Sequence, residues 1–182
     1  EEFNFFLSVI FPDEDLYVMD YNRLVKDLNG NSKEQFLAKV AEKFTITPYA
    51  AEGALKPAKK HTYGMYLDGK WMLLEAKEGT YNAADPVEQL DVSILQNNLL
   101  HPILGIGDPR TDKRIDFVGG IRGLQFLSDA VDSGEMAVAF SMFPTTMEDL
   151  MDIADAGAIM PPKSTWFEPK LRSGLFVHKL SE

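Results

Sequence analysis

Three groups of residues in this chain have the types and spacings that suit anion chemistry. In "MPPKSTWFEPKLRSG", Lys163, Ser164, Thr165, Lys170, Arg172 and Ser173 fall within eleven positions of an otherwise acidic chain. Lysine and arginine give charge-assisted hydrogen bonds to phosphate or carboxylate, and hydroxyls orient the bound group. Pro161, Pro162 and Pro169 keep the backbone extended, so alternate side chains are presented to one side. The spacing from Gly157 to Lys163 and Ser164 is that of a phosphate-binding P-loop in which Pro162 replaces a glycine. Pro162 has no N–H to offer, and the segment follows a helix instead of leading into one, so the sequence does not support a P-loop. The other reading is a solvated, proline-stiffened edge with Trp166 and Phe167 as core anchors.

In "DPRTDKRIDFVGGIRG", Asp108, Arg110, Asp112, Arg114 and Asp116 alternate in sign with a period of two. Such a row is either an ion-pair ladder or the source of a magnesium carboxylate, Asp108 or Asp112, with Arg110 and Arg114 as phosphate ligands. The same two aspartates are candidates for a catalytic base. Gly119 and Gly120, between a strand and a helix, either place amides at a helix N-terminus or permit a tight turn and close packing; Val118 stands where a dinucleotide fingerprint has its first glycine. His61, His101 and His178 are far apart with no HxxxH or HxxH pairing, which disfavours zinc. His178 is a candidate general base because it ends the segment carrying Ser173, and otherwise reads as a satisfied strand residue. His101 before Pro102 suits a helix C-terminus. No serine sits in a GxSxG elbow, and the eight methionines read as core filling.

The elements that must position these groups are legible in outline. Residues 3–11 and 15–21 read as two strands around "PDED". Ser32 and Gln35 have capping-box spacing ahead of a helix over 33–44, with Phe36, Leu37, Val40, Ala41 and Phe44 on one face. Asp68-Gly69 predicts a hairpin, and residues 50–60 a loop. Asp85, Pro86 and Glu88 predict a helix start, with Leu90, Ile94, Leu95 and Leu99 facing the core. A strand, glycine turn, helix ending at Gly134, strand and helix follow; Thr145 with Glu148 caps the last helix and Gly157 ends it. Residues 173–180 read as a strand. The sum is an α+β fold, one domain over 1–182, with a mixed, mainly antiparallel sheet and about four helices.

Composition sets the outer limits. With 182 residues and 45% hydrophobic content the chain can bury one sizeable core. A net charge of −10 repels nucleic acid, and no basic stripe offsets it. Charge or proline interrupts every apolar run, so no membrane-spanning segment is expected. The absence of cysteine excludes disulfides, thiolate metal sites and a cysteine nucleophile, and fits a reducing compartment, so the cytoplasm is the expected location. The opening "EEFNFF" lacks both Met and a signal-peptide pattern, as expected of a piece of a longer protein.

The blocks "LYVMDYNRLVKDLNG", "DPVEQLDVSILQNNLLHPILGI", "DPRTDKRIDFVGG", "SGEMAVAFSMFPTTMEDLMDIADAG" and "MPPKSTWFEPKLRSGLFVHKL" closely resemble the C-terminal part of the bacterial and archaeal family termed domain of unknown function 1015. The resemblance runs over essentially the whole chain, and its last block is the most specific. It implies an N-terminal region that this chain lacks, which would be a partner. It also implies an association with serine metabolism and a distant likeness of that region to a fold that includes free-serine kinases. The expected function is binding of a small phosphorylated metabolite or nucleotide phosphate, with serine phosphoryl chemistry as an instance and magnesium as a possible cofactor. The alternative is a non-catalytic packing or regulatory domain that docks the N-terminal region.

Overall fold

The computed structural model describes residues 2–10, 12–168 and 172–180. Eight strands and four α-helices alternate along the described residues: β1 (Tyr17–Met19), β2 (Tyr21–Val25), α1 (Lys33–Lys43), β3 (Phe44–Pro48), β4 (Thr62–Leu67), β5 (Lys70–Ala76), α2 (Asp91–Leu95), β6 (Ile115–Gly119), α3 (Gln125–Asp132), β7 (Val138–Met142), α4 (Met147–Asp155) and β8 (Trp166–Glu168). Six strands form one sheet in the order β3-β5-β4-β7-β2-β6, and β1 pairs with β8 apart from it. Every ladder is antiparallel. The fold is α+β with four helices, as the sequence predicts.

Local signals carry most of this order. Asp68 and Gly69 both adopt positive φ, which gives the β4–β5 hairpin its tight turn. Ser32 and Gln35 form a reciprocal capping box at the start of α1. Gly134 and Gly157, both left-handed, follow α3 and α4. The cap of α4 lies one residue later than expected, because Thr146 and Asp149, not Thr145 and Glu148, exchange the capping bonds.

Non-local pairing accounts for the differences. The runs at 5–10 and 175–180 are irregular and exposed, and no strand among the described residues pairs with them. β1 pairs instead with β8, which leaves the expected hairpin around "PDED" without its first arm. The helix predicted from Asp85 is broken. Asp85 caps a single turn through the amides of Val87 and Glu88, Leu90 turns to extended angles, and α2 restarts at Asp91 before a π-turn over Gln96–Leu100.

Both faces of the sheet are covered, so β4 and β7 are buried at every position. On one face Val25, Phe36, Val40, Tyr63, Met65 and Phe140 pack with α1, α2 and the π-turn. On the other, Leu24, Tyr66, Trp71, Leu127 and Ala139 pack with α3 and the 50–58 loop. That loop is pinned where the Ser141 hydroxyl donates to the Leu55 carbonyl at 2.6 Å. It approaches so closely that a Cβ on Gly64 would strike Ser141 Oγ and lie 2.7 Å from Leu55 Cδ2 and 2.9 Å from Leu55 O. Gly64→Ala is therefore expected to destabilise the fold by about 1–3 kcal/mol through overpacking. Chemical denaturation checks this, with the midpoint falling and the slope unchanged.

Candidate functional site

The central feature is an arginine inside the sheet. β2 lies between β6 and β7, and its register sets Arg23 opposite Phe117 on one side and Phe140 on the other. Alternation then turns Arg23 to the same face as Val25, into apolar surroundings where it is 3% exposed. Its Nη2 donates to the Lys163 carbonyl at 2.7 Å. Its Nη1 is buried with no hydrogen-bond partner among the described residues. Among the described residues no carboxylate lies within ion-pair distance of it.

The guanidinium instead rests on aromatic rings, 5.1 Å from the Phe117 centroid and 5.7 Å from that of Tyr21. Burial lowers its pKa to about 10, so it remains a cation at neutral pH. Arg23 lines a cavity of about 260 Å³. Ser93 from α2 and Gln96 and Asn97 from the π-turn supply polar groups, and Pro161 and Pro162 form part of the wall.

The Pro161–Ser164 turn closes over this arginine. Lys163 takes a left-handed φ of 59°, an unusual conformation for a side chain with a Cβ, and its carbonyl meets Arg23. The Lys163 ammonium lies 5.9 Å and 5.8 Å from the same Tyr21 and Phe117 rings, with no ion-pair partner among the described residues. Two cations thus share two rings with no carboxylate within ion-pair distance among the described residues. Ser164 is buried and points inward, its hydroxyl donating to the Pro161 carbonyl at 2.6 Å while the Thr145 hydroxyl donates to the Ser164 carbonyl at 3.0 Å. Thr165 is half-buried beside it. Trp166 lies on Gly119, where any Cβ would come within 2.7 Å of the indole. The Gly120 amide donates to the Asp20 carbonyl at 2.8 Å. Both glycines therefore allow close packing, and a short 3-10 turn starting at Gly120 precedes α3.

Pro109 and Ile115, within the Asp/Arg row, line the Arg23 cavity, but the charged groups of the row pair with one another. Asp108 accepts from Arg110 at 2.8 Å and Asp112 from Arg114 at 2.9 Å, so each aspartate meets the arginine two positions on. Hydrogen bonds from Arg110 hold Asp108 down at about 2, and those from Arg114 lower Asp112. Arg114 also donates to the carbonyls of Leu104 and Gly105, fastening that loop to the start of β6. It shares no hydrogen-bond partner with Lys163 or Arg23. Among the described residues no group of three or more His, Asp or Glu side chains is placed to hold a metal. Arg172 and Ser173 are exposed, and Lys170 lies outside the described residues. His178 meets the Glu2 carbonyl through Nε2 at 3.0 Å.

Sequence reasoning missed Arg23. Its available signal was an arginine at the inward phase of "YNRLV", in register with Tyr21 and Val25. A second missed network surrounds His61. Its Nε2 bonds the Gln89 carbonyl at 3.1 Å and must carry the proton, so Nδ1 accepts from the Tyr81 hydroxyl at 2.8 Å. The backbone amide of His61 donates to Asp91 Oδ1 at 2.7 Å. Burial, with a smaller contribution from the charge of Asp149, raises the Asp91 carboxyl to about 7.

Residues 1–93 match the family described as protein of unknown function (DUF1015). Among solved structures, the chain is similar to free serine kinase in complex with AMP, at 14% identity and a TM-score of 0.45, covering 85% of this chain and 54% of that one. It is similar to a mutant of free serine kinase in complex with AMP at 13% identity and a TM-score of 0.49, with the same 85% and 54% coverage. A conserved hypothetical protein from Pyrococcus furiosus matches at 16% identity and a TM-score of 0.48, covering 85% of this chain and 56% of that one. The chain spans just over half the length of these solved proteins. No curated protein matches it. No helix among the described residues is long and apolar enough to cross a membrane.

Two outcomes follow from the buried charges. Replacing Arg23 by methionine removes a desolvated cation with an unsatisfied N–H, so Arg23→Met is expected to stabilise the ligand-free protein by about 1–4 kcal/mol in urea unfolding. For Asp91, the native pKa of about 7 lies above the ordinary 3.8, so the native state holds its proton more tightly. The resulting stabilisation is present below the ordinary value and is lost as pH rises from there to the native value, by up to about 1.4 kcal/mol per pH unit. Asp91→Asn does not titrate, so its stability relative to the parent should rise between pH 4 and pH 7.5. Paired unfolding curves across that range check the sign.

Proposed function

This chain belongs to the DUF1015 family, and we propose that it binds a small phosphorylated metabolite in the cavity that Arg23 lines. The observation that carries this reading is the buried guanidinium whose Nη1 has no hydrogen-bond partner among the described residues. An uncompensated cation is costly to bury, and an anion is the group that offsets that cost. Lys163, beside Pro162 at the wall, supplies the second positive charge that a phosphate monoester calls for. Ser93 and Asn97 offer neutral hydrogen bonds to the remainder of the ligand, whereas the Gln96 amide nitrogen is engaged by the Ile106 carbonyl. Phosphoserine is a specific instance of this class. The proposal is one of binding: the carboxylates of Asp108 and Asp112 are engaged by Arg110 and Arg114, and no catalytic step is routed through them.

A second reading, a packing domain that docks an N-terminal region of the same polypeptide, draws on the exposed apolar side chains Phe5, Phe6 and Ile10 at one end and Leu175, Phe176 and Val177 at the other. Thermal-shift measurements separate the two readings. The parent chain, Lys163→Ala and Arg23→Met are each compared with phosphate, phosphoserine, serine, ADP and ATP, with and without magnesium. Stabilisation of the parent by a phosphorylated ligand, weakened at least about tenfold in Lys163→Ala and abolished in Arg23→Met, is the expected result. An equal ligand response in Arg23→Met would overturn the assignment. Silence with every ligand would favour the docking role.

A further inference from the structure

Around Arg23 the cavity wall is almost free of charge. Its apolar side chains come from four elements: Val87 from the turn after Asp85, Val92 from α2, Leu100 from the π-turn, and Ile115 and Phe117 from β6. The chain holds 28 aspartates and glutamates, yet among the described residues no carboxylate lines this cavity.

The acidic residues next to the wall in sequence all turn elsewhere. Asp91, beside Val92, accepts from the His61 amide at 2.7 Å and lines a separate, smaller pocket with Lys60 and Asp149. Asp108, beside Pro109, is paired with Arg110. Asp116 falls between Ile115 and Phe117 in β6, so strand alternation sends it to the other face, where it is exposed and accepts from the Phe117 amide at 2.8 Å. Glu88, beside Val87, is exposed. Strand register and the two loops thus leave Arg23 as the charged group of a wall that is otherwise neutral and mainly hydrocarbon. An ammonium entering it would lose water, meet no counter-ion and stand near a like charge. A hydrocarbon group in the same place gains from burial.

Resting on the reading that this cavity takes a phosphorylated metabolite, we infer that it selects short phosphate monoesters whose body is uncharged and mainly apolar, and discriminates against those that carry an ammonium. At about 260 Å³ it is smaller than the roughly 300–1,000 Å³ of pockets that enclose drug-sized ligands, which sets the short length. Phosphoserine can meet Arg23 through its phosphate, but the wall has no partner for its ammonium, so it stands at the weak end of its class.

Calorimetric titration of the full chain with propyl phosphate and phosphoethanolamine tests the selectivity, because the two have the same length and differ in a terminal methyl against an ammonium. Inorganic phosphate and 3-methylbutyl phosphate complete the series. Propyl phosphate is expected to bind at least about tenfold more tightly than phosphoethanolamine. 3-Methylbutyl phosphate should gain further, by up to about fourfold per added carbon. Asn97 lies exposed at the cavity, and Asn97→Asp adds a carboxylate there without changing the shape of the side chain. In that variant the preference for propyl phosphate over phosphoethanolamine should narrow by about two- to fivefold, the effect of an exposed ion pair. Equal or tighter binding of phosphoethanolamine by the parent, no gain from 3-methylbutyl phosphate, or an unchanged ratio in Asn97→Asp would overturn the selectivity while leaving anion binding in place. Failure of all four probes to bind would overturn the anion site itself, and the selectivity with it.

Discussion

The hydrogen bond from the Arg23 guanidinium to the Lys163 carbonyl joins the two parts of the chain that make the candidate site. It links the middle strand of the β7-β2-β6 half of the sheet to a turn 140 positions later. An ionised side chain removed from water carries a penalty of several kcal/mol, which a single carbonyl and two ring faces offset only in part. The sheet tolerates it because β2 cannot move to relieve it. Leu24 and Val25 belong to cores on opposite faces, so a one-residue slip would exchange them and carry Arg23 into the opposite core at the expense of both.

The same constraint shapes the neighbouring segment. Lys163 adopts its left-handed angle where its carbonyl meets Arg23, and Ser164 folds its hydroxyl back onto Pro161 to close the turn. Two residues on, Trp166 enters β8 and lies on the face of Gly119, edge-on to Tyr21 at 5.2 Å. The aromatic surroundings of the two cations and the small β1–β8 sheet are thus parts of one packed unit. The glycine pair at 119–120 belongs to that unit through the room it leaves for Trp166 and Asp20.

What the sequence disclosed and what it withheld divide along the range of the interactions involved. Asp68-Gly69, Ser32 with Gln35, Gly134 and Gly157 act within a few residues, and each appears where its chemistry requires. The apolar runs at 5–10 and 175–180 have strand composition, but a strand exists only with a ladder partner, and none among the described residues supplies one. The polar cluster after Pro161 was visible as composition. Its directions were not: Ser164 faces inward and Lys163 contributes its backbone as well as its charge. Arg23 was hidden for the same reason, since a lone arginine in an apolar strand becomes informative only once Phe117 and Phe140 are known to flank it.

Charge alone did not distinguish the arginines; their partners do. Arg110 and Arg114 each meet an aspartate two residues away, a pairing that local sequence can encode and that leaves both ions satisfied. Arg23 and Lys163 have no such neighbour in a chain whose net charge is −10, so their lack of carboxylates is not a shortage of acid. Burying the Arg23 cation without a carboxylate lowers the stability of the empty fold, while the Lys163 ammonium beside it is exposed to solvent. Such an arrangement is stabilised by an anion that arrives from solution, whereas the Asp108–Arg110 and Asp112–Arg114 pairs gain nothing from one. The site is therefore defined by where the fold leaves charge unbalanced, a property of strand register and turn closure that a count of lysines and arginines does not reveal.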